Sequence, residues 1–323
     1  AGIDFLLPIA RWKGYGGETD YQGHTWETIT WATGLLAQTK RITVFGTVHA
    51  TLFSPLIAAK QIVTADHVSR GRFGLNVVCG WNEGEFEMFG VDMRGHDSRY
   101  SQGQEWLDVL RRVWTEDDFD WEGQFFHLKG VRENPKPYRG ERPLIMNAGA
   151  SDDGRDFALR NCDAWFTTPR IKTLEGLNMF RASDVAQEAK AYGRAHGRQI
   201  GVFTVAVIVC RPSQAEAEEY WRYATEAADW AAVDSLLAMR RLTGTPEELE
   251  RRRREFPQGN GGIPIVGEPD YVAEYLAQIS AAGFDGCALS LLNYADELPY
   301  FAQEVLPRLQ ARGLRQASPW PSQ

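Results

Sequence analysis

Apolar positions along the chain recur with two periods that alternate from one segment to the next. Compact apolar runs bounded by glycine, proline or polar residues read as strands. They are IDFLLPIA (3–10), ITVFGTV (42–48), GRFGLNVV (71–78), PLIMNAG (143–149), DAWFTT (163–168), IGVFTVAVIVC (200–210) and GCALSLL (286–292). Between them lie helical patterns. TWETITWATGLLAQT places Trp26, Ile29 and Leu36 on one face, and SQGQEWLDVLRRVW aligns Trp106, Leu107, Leu110, Val113 and Trp114. SPLIAAKQIVTADHVSRG has a serine N-cap, proline at the first helical position and a closing glycine. SDDGRDFALRN has polar capping residues at its start, and SQAEAEEYW a capping box of Ser213 and Glu216.

This alternation predicts a parallel α/β fold, a (β/α)8 TIM barrel over a single domain, 1–323. Seven barrel-type strands are visible, one fewer than a barrel needs. The start at Ala1 without a methionine, inside AGIDFLLPIARWKG, accounts for the deficit if the first βα unit is missing from the chain as supplied. A doubly wound sheet is the alternative, but no GxGxxG follows a strand. Two stretches stand outside the pattern. The segment at about 117–142, rich in aromatics and prolines, reads as a surface excursion, and about 242–266, with RRRREFPQGNGG, as a candidate mobile lid. The four arginines there read as a solvated face offset by EELE.

Composition narrows the class. The net charge of -8 and 43% hydrophobic content argue for a globular protein without a nucleic-acid partner. Apolar runs fall short of a membrane span, no signal peptide is visible, and four cysteines without metal spacing suggest reduced cytoplasmic thiols.

Chemistry in such a barrel sits where strands end. Those positions hold Arg11, Thr47, His49, Asn76, Trp81, Asn147, Ser151, Asn293 and Tyr294. The set is polar and aromatic, with no metal cluster, GxSxG elbow or phosphate loop, and it suits a flat cofactor that carries the reaction. Asn76 is the oddest member, a carboxamide inside the apolar run FGLNVV. Ser151 at a helix start suits an anion.

GIDFLLPIARWKGYGG, SRGRFGLNVVCGWNEGEFEMFG, HDSRYSQGQEWLDVLRRVW and PLIMNAGASDDGRDFA together resemble the bacterial-luciferase-like flavin monooxygenases. The resemblance is strongest to the branch holding the uracil-ring-opening pyrimidine, nitrilotriacetate and sulfone monooxygenases. It implies the oxygenase component of a two-component system, with a separate NAD(P)H:flavin reductase supplying FMNH2 and O2 as co-substrate. One oxygen atom would enter a small organic substrate, heterocycles included, through a flavin peroxide, with the N5 adduct favoured over the C4a. A homodimer or homotetramer is implied as well.

In this resemblance Ala10, Arg11, Asn76 and Glu85 contact the flavin, and Arg99, Tyr100 and Ser151 hold its phosphate. Thr47 and Asn76 face the reactive edge as hydrogen-bond donors. Trp12, His49, Phe53 and Trp81, with Trp165 as a further candidate, line the substrate pocket, Trp81 closing it from water. Cys79 departs from the branch, where threonine or serine is common, and Val48, His49 and Ala50 replace smaller or hydroxylated residues. The rival readings are an F420-dependent oxidoreductase on the same barrel and a non-catalytic flavin-binding protein.

Overall fold

The computed structural model describes residues 2–167, 179–240, 244–258 and 262–315. Backbone contacts divide the chain into two compact units, one of Ile3–Gly14 and Gln22–Trp165, the other of Gly2, Tyr15–Tyr21 and the described residues from Phe166 onward.

In the first unit the elements run β1 (Phe5–Leu6), α1 (Thr28–Gln38), β2 (Thr43–His49), α2 (Pro55–Ser69), β3 (Phe73–Val78), α3 (Glu83–Met88), α4 (His96–Thr115), β4 (Phe119–Glu122), β5 (His127–Val131), β6 (Leu144–Asn147), α5 (Asp152–Asn161) and β7 (Ala164–Phe166). β1, β2, β3, β6 and β7 pair in that order, all parallel. Because side chains alternate across a strand, register sorts them onto two faces. Val44, Val48, Phe73, Leu75, Val77 and Ile145 join buried residues of α1, α2 and α4 in one hydrophobic core. Thr43, Phe45, Thr47 and His49 of β2, and Gly74 and Asn76 of β3, therefore occupy the opposite face. An ideal Cβ on Gly74 would lie 2.4 Å from the Phe45 ring, so this face too is closely packed.

Local chemistry sets the helix bounds. α1 starts later than the apolar pattern suggests: the Glu27 carboxylate accepts from the backbone N–H groups of Ile29 and Thr30. This leaves Trp26 outside the helix and 78% exposed, while Ile29 and Leu36 are buried as expected. α2 begins at Ser54 and Pro55 as predicted and leaves through two left-handed residues, Arg70 (φ 57) and Gly71 (φ 85). A short helix, α3, occupies what reads as loop, capped by the Asn82 carboxamide on Gly84 N–H.

The excursion is ordered. β4 and β5 form an antiparallel ribbon, and its turn closes on one carboxylate. Glu105 accepts from Trp121 Nε1 and from the backbone N–H groups of Gln124, Phe125 and Phe126 at 2.9–3.0 Å. The following segment is fixed by Lys136 Nζ on the carbonyls of Val113 and Glu116, and by Tyr138 N–H on Asp66.

In the second unit α6 (Met179–Ala195) precedes β8 (Gly201–Cys210), followed by α7 (Gln214–Glu226), α8 (Trp230–Met239), α9 (Pro246–Glu255), β9 (Ile263–Gly267), α10 (Pro269–Ala281), β10 (Gly286–Ser290) and α11 (Tyr294–Ala311). β8 pairs with β10 through Phe203–Val207 and with β9 through Ala206–Cys210, both parallel. Part of the candidate lid, 259–261 and 242–243, lies outside the described residues. The rest holds α9, which has a capping box of Thr245 and Glu248. Of its arginines, Arg254 pairs with Glu250 and Arg253 with Asp234 of α8. Among the described residues no helix is long and apolar enough to cross a membrane.

The Glu105 carboxyl is lowered in pKa: burial raises it, but the indole and three backbone donors outweigh burial. A lowered folded-state value stabilises above the unfolded pKa and is lost as pH falls through the folded one. Glu105→Ala is expected to cost about 1–2 kcal/mol at neutral pH, discounted for the solvent at the carboxylate, and to do little below both pKa values. Thermal melts at pH 7 and pH 3, with hydrogen exchange across 121–131, check this; unchanged exchange at pH 7 refutes it.

Candidate functional site

The polar face of β2 and β3 is the start of the site. Thr47 and Asn76 stand directly opposite in register. Thr47 Oγ1 donates to the Pro8 carbonyl at 2.6 Å and accepts from Asn76 Nδ2 at 3.0 Å. A carbonyl can only accept, so the Thr47 proton goes to Pro8 and the Asn76 amide must turn its nitrogen toward Thr47. The Asn76 Oδ1 that remains is buried without a protein partner. Thr47, expected as a donor to the reactive edge, instead orients its neighbour. Thr28 Oγ1, on the Thr47 carbonyl at 2.7 Å, ties α1 to the same point.

A second cluster gathers at the ends of these strands. Glu85 of α3 is 2% exposed. Its Oε1 accepts from Arg11 Nη1 and from Trp12 N–H, each at 2.9 Å. Its Oε2 lies 3.7 Å from His49 Nε2. The His49 pKa is pushed down to about 4, first by burial and then by the Arg11 charge, so the imidazole is neutral. Glu85, assigned to the flavin by resemblance, is thus committed to protein groups through Oε1. Ala10 is buried beside this loop.

Around the cluster lies an aromatic group. The ring of Trp12 is 5.9 Å from Phe53 and 5.1 Å from Phe89, and Phe53 is 6.3 Å from Phe89. Phe89 was absent from the expected pocket; the FEMFG run carried the signal, two aromatics one helical turn apart beyond the glutamate. Trp81 is 41% exposed, with the Arg11 guanidinium over its ring, and stands at the surface of this cluster. Trp165 is buried and donates from Nε1 to the Gly149 carbonyl at 2.9 Å.

Ser151 and Tyr100, expected to hold an anion, meet at the start of α5. Ser151 is the N-cap, accepting from Gly154 N–H at 3.1 Å. Tyr100 comes to it from α4: burial raises its pKa, while a hydrogen bond with Ser151 opposes the rise. The backbone turn is crowded. An ideal Cβ on Gly149 would lie 2.6 Å from Gly154 Cα, and one on Gly154 2.6 Å from the Tyr100 hydroxyl. Asn147 holds the entry to this turn, donating to the Val77 carbonyl at 2.6 Å and accepting from Gly149 N–H at 2.7 Å. Arg99 is buried, gives Nη1 to the Arg94 carbonyl at 2.6 Å and leaves Nε without a protein partner. Cys79 is a buried thiol pushed up to about 12 by burial, against the pull of Arg99. Among the described residues, His96, Asp97 and Asp153 are the only cluster of metal-ligand type; all three are exposed.

These groups fit a phosphorylated, flat, N–H-bearing cofactor: a crowded helix start for the anion, a buried arginine, and a bare carboxamide oxygen in the middle of a sheet face. The model of the luciferase-like monooxygenase family matches residues 1–286. The chain belongs to the luciferase-like monooxygenases. It is 31% identical over 316 aligned residues to the FMNH2-dependent dimethylsulfone monooxygenase of Pseudomonas fluorescens strain Pf0-1, covering 95% of this chain and 83% of that one. It is 27% identical over 331 aligned positions to pyrimidine monooxygenase RutA of Variovorax paradoxus strain S110, covering 100% and 87%.

DmoA from Hyphomicrobium sulfonivorans shares the fold at a TM-score of 0.85 and 20% identity, over 99% of this chain and 81% of that one. An F420-dependent secondary alcohol dehydrogenase shares it at 0.67 and 16%, over 89% and 84%. The fold class is therefore the luciferase-like TIM barrel expected from the alternation of elements.

Removing Glu85 takes away the carboxylate that the Arg11 guanidinium meets in a buried site. Glu85→Ala is expected to destabilise the luciferase-like chain by about 3–5 kcal/mol, with the isosteric Glu85→Gln milder. Urea titrations check this; a loss below about 1 kcal/mol for Glu85→Ala would show that the pair contributes little.

Proposed function

We propose that this luciferase-like chain is an FMNH2-dependent monooxygenase, the oxygenase component of a two-component system, that places one atom of O2 in a small organic molecule. The observation that carries the reading is the Thr47–Asn76 pair: a carboxamide locked by a hydroxyl at the centre of a strand face, with its own oxygen unpartnered. When bound, reduced flavin supplies the two electrons that activate O2. The chain's contribution is to bind, orient and set polarity.

Arg99, Tyr100, Ser151 and the N–H groups at the start of α5 hold the phosphate. Asn76 Oδ1 would accept a hydrogen bond from an N–H of the reduced ring. Thr47 and Pro8 keep that amide from turning. Ala10 and Arg11, fixed through Glu85, bound the ring from the β1 side. The aromatic group of Trp12, Phe53 and Phe89 receives an apolar or planar substrate.

The same reading includes a separate NAD(P)H:flavin reductase as electron donor, since the sequence carries no dinucleotide fingerprint, a cytoplasmic location, and assembly as a homodimer or homotetramer. The single-domain organisation over 1–323 goes with it, the family model spanning residues 1–286 without a break. An F420-dependent activity is the weaker reading, because those enzymes share the fold at lower similarity than the monooxygenases do.

Anaerobic titration with FMNH2 followed by exposure to oxygen tests the proposal. Arg99→Ala should weaken FMNH2 binding at least about tenfold. Asn76→Ala should leave binding within a few-fold but change the rate of flavin reoxidation and the yield of hydrogen peroxide by about 100-fold or more. Failure of the unaltered chain to bind FMNH2, or reoxidation at the rate of free flavin, would sink the reading.

A further inference from the structure

Two side chains one turn apart on α4 reach the start of α5. Tyr100 meets Ser151, the N-cap, and His96 meets Asp153 in the first turn. The His96 ring is backed by the Tyr100 ring, their centroids 5.1 Å apart. His96 Nδ1 lies 2.8 Å from Asp153 Oδ2, and a carboxylate only accepts, so the imidazole carries a proton on Nδ1. Asp97, the other charge beside the ring, stands at 3.7 Å and is almost fully exposed. The His96 and Asp153 side chains are 43% and 54% exposed, so their contact adds little to stability. What it fixes is where a carboxylate points. At the start of α5, Gly154 N–H goes to Ser151 Oγ and Arg155 N–H to the Ser151 carbonyl. The N–H groups of Asp152 and Asp153 remain as the donors that a helix start offers an anion. A carboxylate in the first turn is drawn to the same donors and the same end of the helix dipole. Left loose, Asp153 is a competitor for the place that a phosphate would take.

We propose that His96 is a positioning residue of the phosphate site: by holding the Asp153 carboxylate on the α4 side, it keeps the start of α5 open to the phosphate of the flavin. This rests on the monooxygenase reading and deepens it. Phosphate and carboxylate are like charges that seek the same donors. An unheld Asp153 therefore weakens the site twice, by occupying N–H groups and by repelling the incoming dianion. His96 acts through Asp153, so its effect lasts only while that carboxylate is present. It also extends only to a ligand that bears the phosphate.

The test titrates the full chain with FMN and with riboflavin, read by flavin fluorescence at pH 8. The forms compared are the unaltered chain, His96→Ala, His96→Asn, Asp153→Ala and the double variant His96→Ala with Asp153→Ala. His96→Ala should weaken FMN binding about tenfold. His96→Asn, whose amide nitrogen can stand in for Nδ1, should restore it to within a few-fold. Asp153→Ala should bind FMN at least as well as the unaltered chain, and adding His96→Ala to it should change nothing further. Riboflavin, which lacks the phosphate, should bind all five forms alike or none of them. The proposal is overturned by an unmoved FMN affinity in His96→Ala, by a loss that His96→Asn does not repair or that persists beside Asp153→Ala, or by a riboflavin loss parallel to that of FMN. Absence of FMN binding by the unaltered chain counts against the oxygenase, whereas normal FMN binding with any of the overturning results counts against His96 alone.

Discussion

The site depends on a buried carboxylate that has to be balanced. Glu85 sits almost without solvent, and an isolated charge there would be costly unless paired and hydrogen-bonded. Arg11 and the Trp12 amide supply that balance from a segment 73 to 74 residues earlier in the chain. The consequences follow in order. The backbone at Arg11 and Trp12 is pinned to α3. The guanidinium, held there, lies over Trp81 and helps keep His49 neutral. Trp12, placed by its own backbone, packs against Phe53 and Phe89. One ion pair thereby sets the charge and the apolar wall of a single region.

A second constraint is the alternation of a strand. On one face of β2 and β3 the residues are those of an ordinary core, packed under α1, α2 and α4. On the other, the same strands carry Thr47, His49 and Asn76. Since a shift of one residue would exchange the faces, the core packing that fixes register also fixes which polar groups meet. The Thr47–Asn76 bond is therefore a product of hydrophobic burial as much as of hydrogen bonding. Phe45 filling the space over Gly74 shows the same economy below the polar row.

Much of this was legible in the chain. Strand and helix periods gave the α/β alternation, and the Ser54–Pro55 and Ser213–Glu216 start signals fell where they were read. Asn76 stood out because a carboxamide has no local reason to interrupt FGLNVV. Ser151 was readable because capping is chemistry of near neighbours. What escaped was long-range or decided by competing hydrogen bonds. Glu85 gives no sign in sequence that its partner is Arg11. Thr47 reads as a donor until the Pro8 carbonyl takes its proton, and Trp26 reads as part of a helical stripe until Glu27 caps the helix behind it. The prolyl excursion looked irregular because its organising group, Glu105, lies on α4 rather than within it.

The start of α5 and the sheet face differ in kind. At α5 the geometry is set by backbone: Gly149 against Gly154, and the Tyr100 hydroxyl where any larger residue at Gly154 would intrude. Such a site admits little substitution. On the sheet face, polarity is set by single side chains on strands whose backbone does not depend on them. Replacing the residue at position 49 therefore alters the polarity of this face without removing the Thr47–Asn76 hydrogen bond one row below.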